Sequence, residues 1–276
     1  QSRFEHDNYC LPFSRMKSNS LISLFSAGYQ GPIMKSNNST DTIGDIIERS
    51  RELGAVTHFI RFNPFTENHR VFTGSPHMQK AGEILTVTIP NDFNEYYNRL
   101  PVRTRNAFRK TSQLKLKVNN EPDNSIILQS LQYNNQFITK PAHISHLIDN
   151  NLAVLYQAYL DNEEIAASLF LADNNSPNAY YIANASSKDG RQYNANVFIM
   201  LSYIKNNVQA NIVNLGLGRG IAGNDSLYKF KSQFATDSKS VYHMKLIIDS
   251  DSFNRYNEEN GYFPSWMKDR SPAELI

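Results

Sequence analysis

Cysteine is almost missing from this 276-residue chain: Cys10 is the only one, so no disulfide can close within it. That usage suits a reducing compartment and makes the cytoplasm the expected location. Net charge is almost missing too. Lys plus Arg number 28 against 26 Asp plus Glu, a balance that excludes the overall positive field of a dedicated nucleic-acid binder and leaves any polyanion contact to a local patch. Long apolar runs are absent: stretches such as 165–172 and 197–201 fall far short of the roughly 20 residues a membrane helix needs, so no membrane span is expected. Neither a low-complexity tract nor a short repeat breaks the chain, which argues against a solenoid or propeller. Metal spacing is lacking as well. His58, His69 and His77 stand eleven and eight apart, and His143 with His146 has no matching pair nearby, so no metal is expected. No Ser-His-Asp or Cys-His signature points to a covalent intermediate. The chain opens on Gln1 without a charged-then-apolar leader, which reads as a cut or processed end.

What is present is a globular composition, 40% hydrophobic and 20% charged, with length enough for two small units. Leu21 to Phe25 reads as a strand, followed by a turn at Gly28 to Pro32. Thr42 to Leu53 has Ile43, Ile46, Ile47 and Leu53 at helical spacing, and His58 to Phe62 and Leu85 to Ile89 read as strands. Asp92 caps a helix to Leu100, Pro101 opens another, and Leu114 to Val118 is a strand. Residues 119–151 are rich in Asn, with short helices expected at Ile126 to Leu131 and Ile144 to Ile148. Ala153 to Tyr159, Glu164 to Ala172 and Ala179 to Ala185 form an antiparallel meander turning at Asp161-Asn162 and at 173–178. A helix over 195–208, a strand at Ile212 to Leu215, a glycine-rich turn, a helix around Leu227 to Phe234 and a strand at Val241 to Ile248 complete the order. The expected fold class is mixed α/β (α+β), divided as an N-terminal half (1–120), a connecting helical segment (121–151) and a C-terminal half (152–276).

Four strings add a resemblance: Gly28-Tyr29-Gln30-Gly31-Pro32; Phe59-Ile60-Arg61-Phe62-Asn63-Pro64; Arg105-Asn106-Ala107-Phe108-Arg109-Lys110 leading into Leu116 to Val118; and Leu215-Gly216-Leu217-Gly218 followed by Phe230-Lys231-Ser232-Gln233-Phe234-Ala235. In this order they resemble the Fem-type (FemAB-like) aminoacyl and acyltransferase branch of the GNAT superfamily. The chain departs from that pattern at Ala235, where the family has glycine, and in a shorter middle segment. It also shows no counterpart of the segment that family members carry before their first strand pair, as if the N-terminal half were truncated. The resemblance implies two tandem GNAT-like mixed-sheet halves and transfer of an acyl or aminoacyl group to an amine. The acceptor it implies is an amino sugar, a nucleotide-linked sugar, or a cell-wall or surface-polysaccharide precursor. It implies no permanently bound cofactor. Acyl-CoA and aminoacyl-tRNA both remain open as co-substrate, and with the second comes tRNA as a partner.

The resemblance puts Lys231 at the donor, where an ammonium stabilises developing negative charge; without it, Lys231 is a solvated helix lysine beside the core pair Phe230 and Phe234. Tyr228 is a candidate proton donor on the same helix. Gly216, Gly218 and Gly220 would let backbone N–H groups approach a phosphate or an acyl oxygen, or make an ordinary flexible turn. Arg191 to Asn196 stands where acetyl-CoA-using relatives carry a glycine-containing phosphate loop, keeping Arg191 and losing both glycines. Asn194 is the other donor-site candidate there, or a helix cap. Seven basic residues and no acidic ones lie from Arg99 to Lys117, a solvated helix face or a phosphate-binding patch that includes Arg105 and Arg109. Arg61, set among Phe59, Ile60, Phe62 and Phe65, lines a cleft or meets a buried carboxylate. Tyr29 completes the substrate-binding candidates. A rival reading of a different class is a GNAT-fold binding module for a nucleotide-linked ligand, with no chemistry of its own; the oligomeric state is not legible.

Overall fold

The computed structural model describes residues 2–6, 9–18, 21–26, 31–35, 42–119, 124–127, 141–172, 176–208, 212, 214–218 and 225–260. Their contacts divide the chain into two compact units, residues 1–83 with 239–276, and residues 84–238. This partition differs from the sequential halves expected. The segment 121–151 falls inside the second unit, and the strand expected to close the C-terminal half belongs with the first. The cause is a long-range pairing that local periodicity does not register: residues 243–247 pair with residues 57–61.

In the first unit the strand order is β1 (Ser2–Glu5), β2 (Tyr9–Ser18), β3 (Leu21–Phe25), β5 (Ala55–Arg61) and β12 (Asp237–Ile247), with β4 (Ile33–Met34) also on β2. β3 and β5 are parallel, and α1 (Thr42–Glu52) lies between them in sequence. On its other edge β5 pairs antiparallel with β12, in a register that sets His243 opposite Arg61 and Leu246 opposite His58. β5 is thus central and buried at all seven positions, including the polar Thr57, His58 and Arg61. Ile46 of α1 packs into a core with Tyr9, Leu24, Ile60 and Met244. β1, β2 and β4 were not anticipated. In β2, Tyr9, Leu11 and Phe13 alternate inward, but Pro12 interrupts the run and argues against a strand when only the sequence is read.

In the second unit the order is β6 (Met78–Thr88, from Ile84 onward), β11 (Asn214–Gly218), β10 (Asn178–Ser186), β9 (Glu163–Ala172), β8 (Ala153–Leu160) and β7 (Lys115–Val118). The expected meander is present. Asp161 and Asn162, with φ of 48° and 70°, make its first turn in the left-handed conformation that a two-residue hairpin requires. Alternate residues face opposite layers. On one face Tyr156, Phe170 and Tyr181 meet the helix Ala195–Asn206, whose Tyr203 stacks on Phe170 at 3.8 Å between ring centroids. On the other face Leu155, Ala167 and Leu169 meet Ile144 and Ile148 of Pro141–Asp149. These two helices, α6 and α4, cover both faces, so the strands between them are largely apolar at their centres, with Gln157 and Ser168 as buried polar exceptions. Before them in the chain stand α2 (Phe93–Arg99) and α3 (Val102–Arg109); the Asp92 side chain accepts from Asn94 N at the start of α2, as expected. Among the described residues no helix is long and apolar enough to cross a membrane.

Candidate functional site

β10 and β11 run parallel, pairing Asn178 with Asn214, Ala179 with Leu215 and Tyr180 with Gly216. The pairing ends there, although β10 continues to Ser186 on its β9 side. Two register slips coincide with that end. β10 shifts against β9 between Tyr181 and Ala183, and β11 shifts against β6 between Gly216 and Gly218. Bulges of this kind re-aim side chains and terminate pairing.

The helix α7 (Ser226–Ser232) follows β11 in the chain and carries Lys231. Its start is fixed by Asp225, whose carboxylate accepts from Tyr228 N at 2.6 Å, and its end by Tyr96, whose hydroxyl donates to Phe234 O at 2.7 Å. Thr104 donates to the Gln233 side chain at 2.9 Å, a second tie at the same end. Phe230 and Phe234 stack edge to face at 5.2 Å and anchor the helix to the core. These constraints turn Lys231 inward, and only 8% of it is exposed. Its Nζ lies 6.0 Å from the centroid of the Tyr181 ring. A Cβ added to Gly218 would stand 3.3 Å from that Nζ, and Gly218 has φ +72°, so glycine there satisfies both the backbone and the ammonium. Burial pushes the Lys231 ammonium down to about 8 from its ordinary 10.5, while the carboxylate of Asp225 pulls the other way. Burial also drives the Tyr181 hydroxyl up, so it stays protonated beside the lysine. A desolvated cation is therefore held by a helix, a glycine and an aromatic ring at the end of a parallel strand pair.

Neither a family model nor a curated protein sequence matches the chain. Solved structures do. The chain is similar in fold to FemX. That structure superposes with a TM-score of 0.63 at 10% identity, over 90% of this chain and 87% of the other. The C-terminal domain of a putative lysylphosphatidylglycerol synthetase from Agrobacterium fabrum gives 0.60 at 14% identity, over 93% and 88%. A tandem GNAT protein from the clavulanic acid biosynthesis pathway gives 0.50 at 10%, over 87% and 78%. The likeness to FemX and to the tandem GNAT protein is one of fold: a mixed α/β architecture with tandem sheet and helix units.

The other candidates fall in several places. Gly216 is not in a turn after the strand: it is a buried ladder residue of β11 between Tyr180 and Thr86, and Gly218 ends the same strand. The strand runs three residues further than expected because it is glycine-rich yet central, where propensity is overridden by pairing on both edges. Gly220 and Tyr29 lie outside the described residues. Tyr228 stands one turn before Lys231 on α7, partly buried against the core. Arg191 belongs to a short helix, α5 (Lys188–Gln192), and donates to Ser186 O at 2.9 Å. Gly190 packs that helix so tightly on β9 that a Cβ would come within 2.1 Å of Ile165 O. Asn194 precedes α6 with a left-handed backbone and no side-chain cap, so the capping expected of it is absent. Arg61 is buried in the first unit, 5.6 Å over the Phe59 ring. Arg105 and Arg109 lie on α3; Arg105 is half-buried, and Arg109 is exposed and bonded to Asn106. Two members of the Lys231 cluster were not anticipated. Asp225 carried a legible signal, a capping residue just ahead of the helical run, whereas Tyr181 looks like any inward tyrosine of a strand.

Proposed function

We propose that this protein is an N-acyltransferase that moves an acyl or aminoacyl group onto an amine, with Lys231 stabilising the oxyanion. The observation that carries the reading is the burial of the Lys231 ammonium against Gly218 and Tyr181, at the end of the β10–β11 ladder. In such a reaction the amine lone pair attacks the acyl carbon, negative charge builds on the carbonyl oxygen, and the ester or thioester bond to the donor breaks. The nitrogen gives up a proton and the leaving group takes one. A pre-positioned cation in a water-poor site lowers the barrier to the charged intermediate. With a pKa near 8, Lys231 is about nine-tenths protonated at pH 7, so the ammonium is the working form. Tyr228, one turn away, is a candidate proton donor to the leaving group.

An amino sugar or another amine-bearing precursor of a surface polymer is the acceptor class favoured by the sequence resemblance alone. The seven cations from Arg99 to Lys117 support an aminoacyl-tRNA donor. Acyl-CoA is less well supported, since Arg191 is engaged with Ser186 and Asn194 stands where the phosphate loop of acetyl-CoA users has glycine. Those same two features favour a second reading, a binding module of this fold without chemistry.

The test is transfer of labelled acyl group from acyl-CoA and from aminoacyl-tRNA to a panel of amino sugars and nucleotide-linked amino sugars. A melting titration with coenzyme A runs alongside, because a ligand of the folded state raises the melting temperature. The enzyme reading expects transfer from one donor, lowered about 10²- to 10³-fold in Lys231→Ala without loss of folding. Transfer undiminished in Lys231→Ala contradicts it.

A further inference from the structure

A second candidate site lies within residues 84–238 and shares no lining residue with the Lys231 cluster. It is a cleft of about 550 Å³ between α2, α3 and α6. Its walls are four rings. Phe93 and Tyr97 of α2 lie nearly parallel at 6.0 Å, and Phe108 of α3 and Phe198 of α6 nearly parallel at 6.3 Å. Phe93 and Phe108 meet edge to face at 6.5 Å. All four are partly buried against the core. Two exposed cations also line the cleft: Arg109 and Lys205, the latter with its Nζ 5.9 Å from the Phe93 centroid.

Three features select a ligand class. Clefts of several hundred Å³ suit a small molecule rather than a single ion. Partly exposed rings favour a flat π-system, because aromatic faces stack on one another and on cations, whereas an alkyl chain is met equally well by Leu, Ile or Val. Lastly, α3 and the turn after it bring a surplus of positive charge: no acidic residue occurs from Arg99 to Lys117, and the cations there favour phosphate. We propose that this cleft binds a nucleotide, its base stacked on Phe198 and the neighbouring rings and its phosphates held by Arg109 and Lys205. The site shares Arg109 with the run of cations invoked above for the donor but no residue with the Lys231 cluster, so it stands apart from the oxyanion role of Lys231. The same chemistry is offered by a free nucleotide and by the unpaired end of a nucleic-acid strand.

The experiment titrates the full chain with AMP, ADP, adenosine, ribose 5-phosphate and a labelled single strand of about six nucleotides, at two salt concentrations. AMP and ADP bind saturably, and adenosine and ribose 5-phosphate bind at least about tenfold more weakly, because each lacks half of the recognised chemistry. Phe198→Ala weakens binding by about 5- to 100-fold. Lys205→Gln and Arg109→Gln, changes at exposed positions that leave melting unaltered, each weaken it several-fold and lower the salt slope by about one. Lys231→Ala binds as the unaltered chain does, which separates failure of this site from failure of the transferase reading. A strand that binds more tightly than AMP assigns the site to nucleic acid, and equal affinity assigns it to free nucleotide. No saturable binding by any probe overturns the proposal, and so does binding undiminished in the Lys205→Gln, Arg109→Gln double variant.

Discussion

Each compact unit contains a parallel strand pair joined by way of helix, β3 to β5 through α1 and β10 to β11 through α5 and α6, and the two pairs end differently. In the first unit the ladder runs from Ile22–Ala55 to Phe25–Phe59 and is then extended by Ser26. Its N–H donates to Phe59 O at 2.9 Å, and its hydroxyl accepts from Arg61 N at 2.7 Å. Beneath it Thr57 donates to Ser23 at 2.9 Å, and the His58 ring meets the Ser50 hydroxyl at 2.9 Å through Nδ1, while its buried Nε2 has no hydrogen-bond partner among the described residues. In the second unit the ladder stops after three pairs, and a buried lysine sits at its end. The cations differ in kind as well. Arg61 carries a buried guanidinium, whereas burial pushes the Lys231 ammonium down to about 8. One ladder is closed around a fixed charge, and the other ends at a charge that burial has made responsive, which is why the chemistry is assigned to the second.

The largest expected effect tests that assignment. Lys231→Met lowers transfer by about 10²- to 10³-fold yet stabilises the fold at pH 7 by up to on the order of 3 kcal/mol, because it removes a desolvated ammonium. The unfolded lysine titrates near 10.5 and the folded one near 8, so between those values the unfolded chain holds the extra proton and stability climbs with pH. The advantage of the variant is therefore full below pH 8 and fades toward pH 10.5, as denaturant titrations across that range can check. The first unit responds in the acid instead. Burial pushes His58 down to about 3, so the unfolded state takes up the extra proton as pH falls below 6.5. The chain should lose on the order of 3 kcal/mol between pH 7 and pH 4 through this group, and His58→Leu should flatten that limb without touching transfer.

Smaller effects sharpen the contrast further. Ser26→Ala strips the acceptor from the buried N–H of Arg61 and should cost about 1–3 kcal/mol in denaturant melts, with the transfer rate per folded molecule unchanged. The smallest stability effect comes from a matched pair of glycines. Gly54 and Gly218 have φ of +67° and +72°, so alanine at either costs about 1 kcal/mol in backbone strain. Around Gly54 the nearest atom to an added Cβ is Ile22 Cδ1 at 3.8 Å, whereas at Gly218 it is the Lys231 ammonium at 3.3 Å. Only Gly218→Ala should therefore reduce transfer, and a paired assay and melt reads both.

The meander, the helices α1, α2 and α6 and the capping of α2 by Asp92 were legible because each rests on local signals: alternation, helical spacing, a side chain that accepts from the next turn. The partition of the chain was not. It depends on β12 returning across about two thirds of the chain to pair with β5, a contact that leaves no mark on the periodicity of either strand. At the candidate site, Lys231 and Gly218 were named from the order of short strings, and the capping role of Asp225 had a local signature. Tyr181 had none, since what distinguishes it from other inward tyrosines is the register slip beside it. The glycines of β11 were misread for a related reason: glycine signals a turn locally, and only pairing with β6 and β10 reveals a strand. Arg191 shows the same limit, its fate decided by α5 folding it back onto Ser186.

Lys231 carries a charge that burial destabilises. Selective isotope labelling of lysine and a pH titration of the Lys231 side-chain resonance, assigned by its loss in Lys231→Met, read that directly. A midpoint at about 8, well separated from the exposed lysines, is the predicted result. A midpoint at the ordinary lysine value of 10.5 would mean that the ammonium is solvated and that no desolvated cation stands beside Gly218.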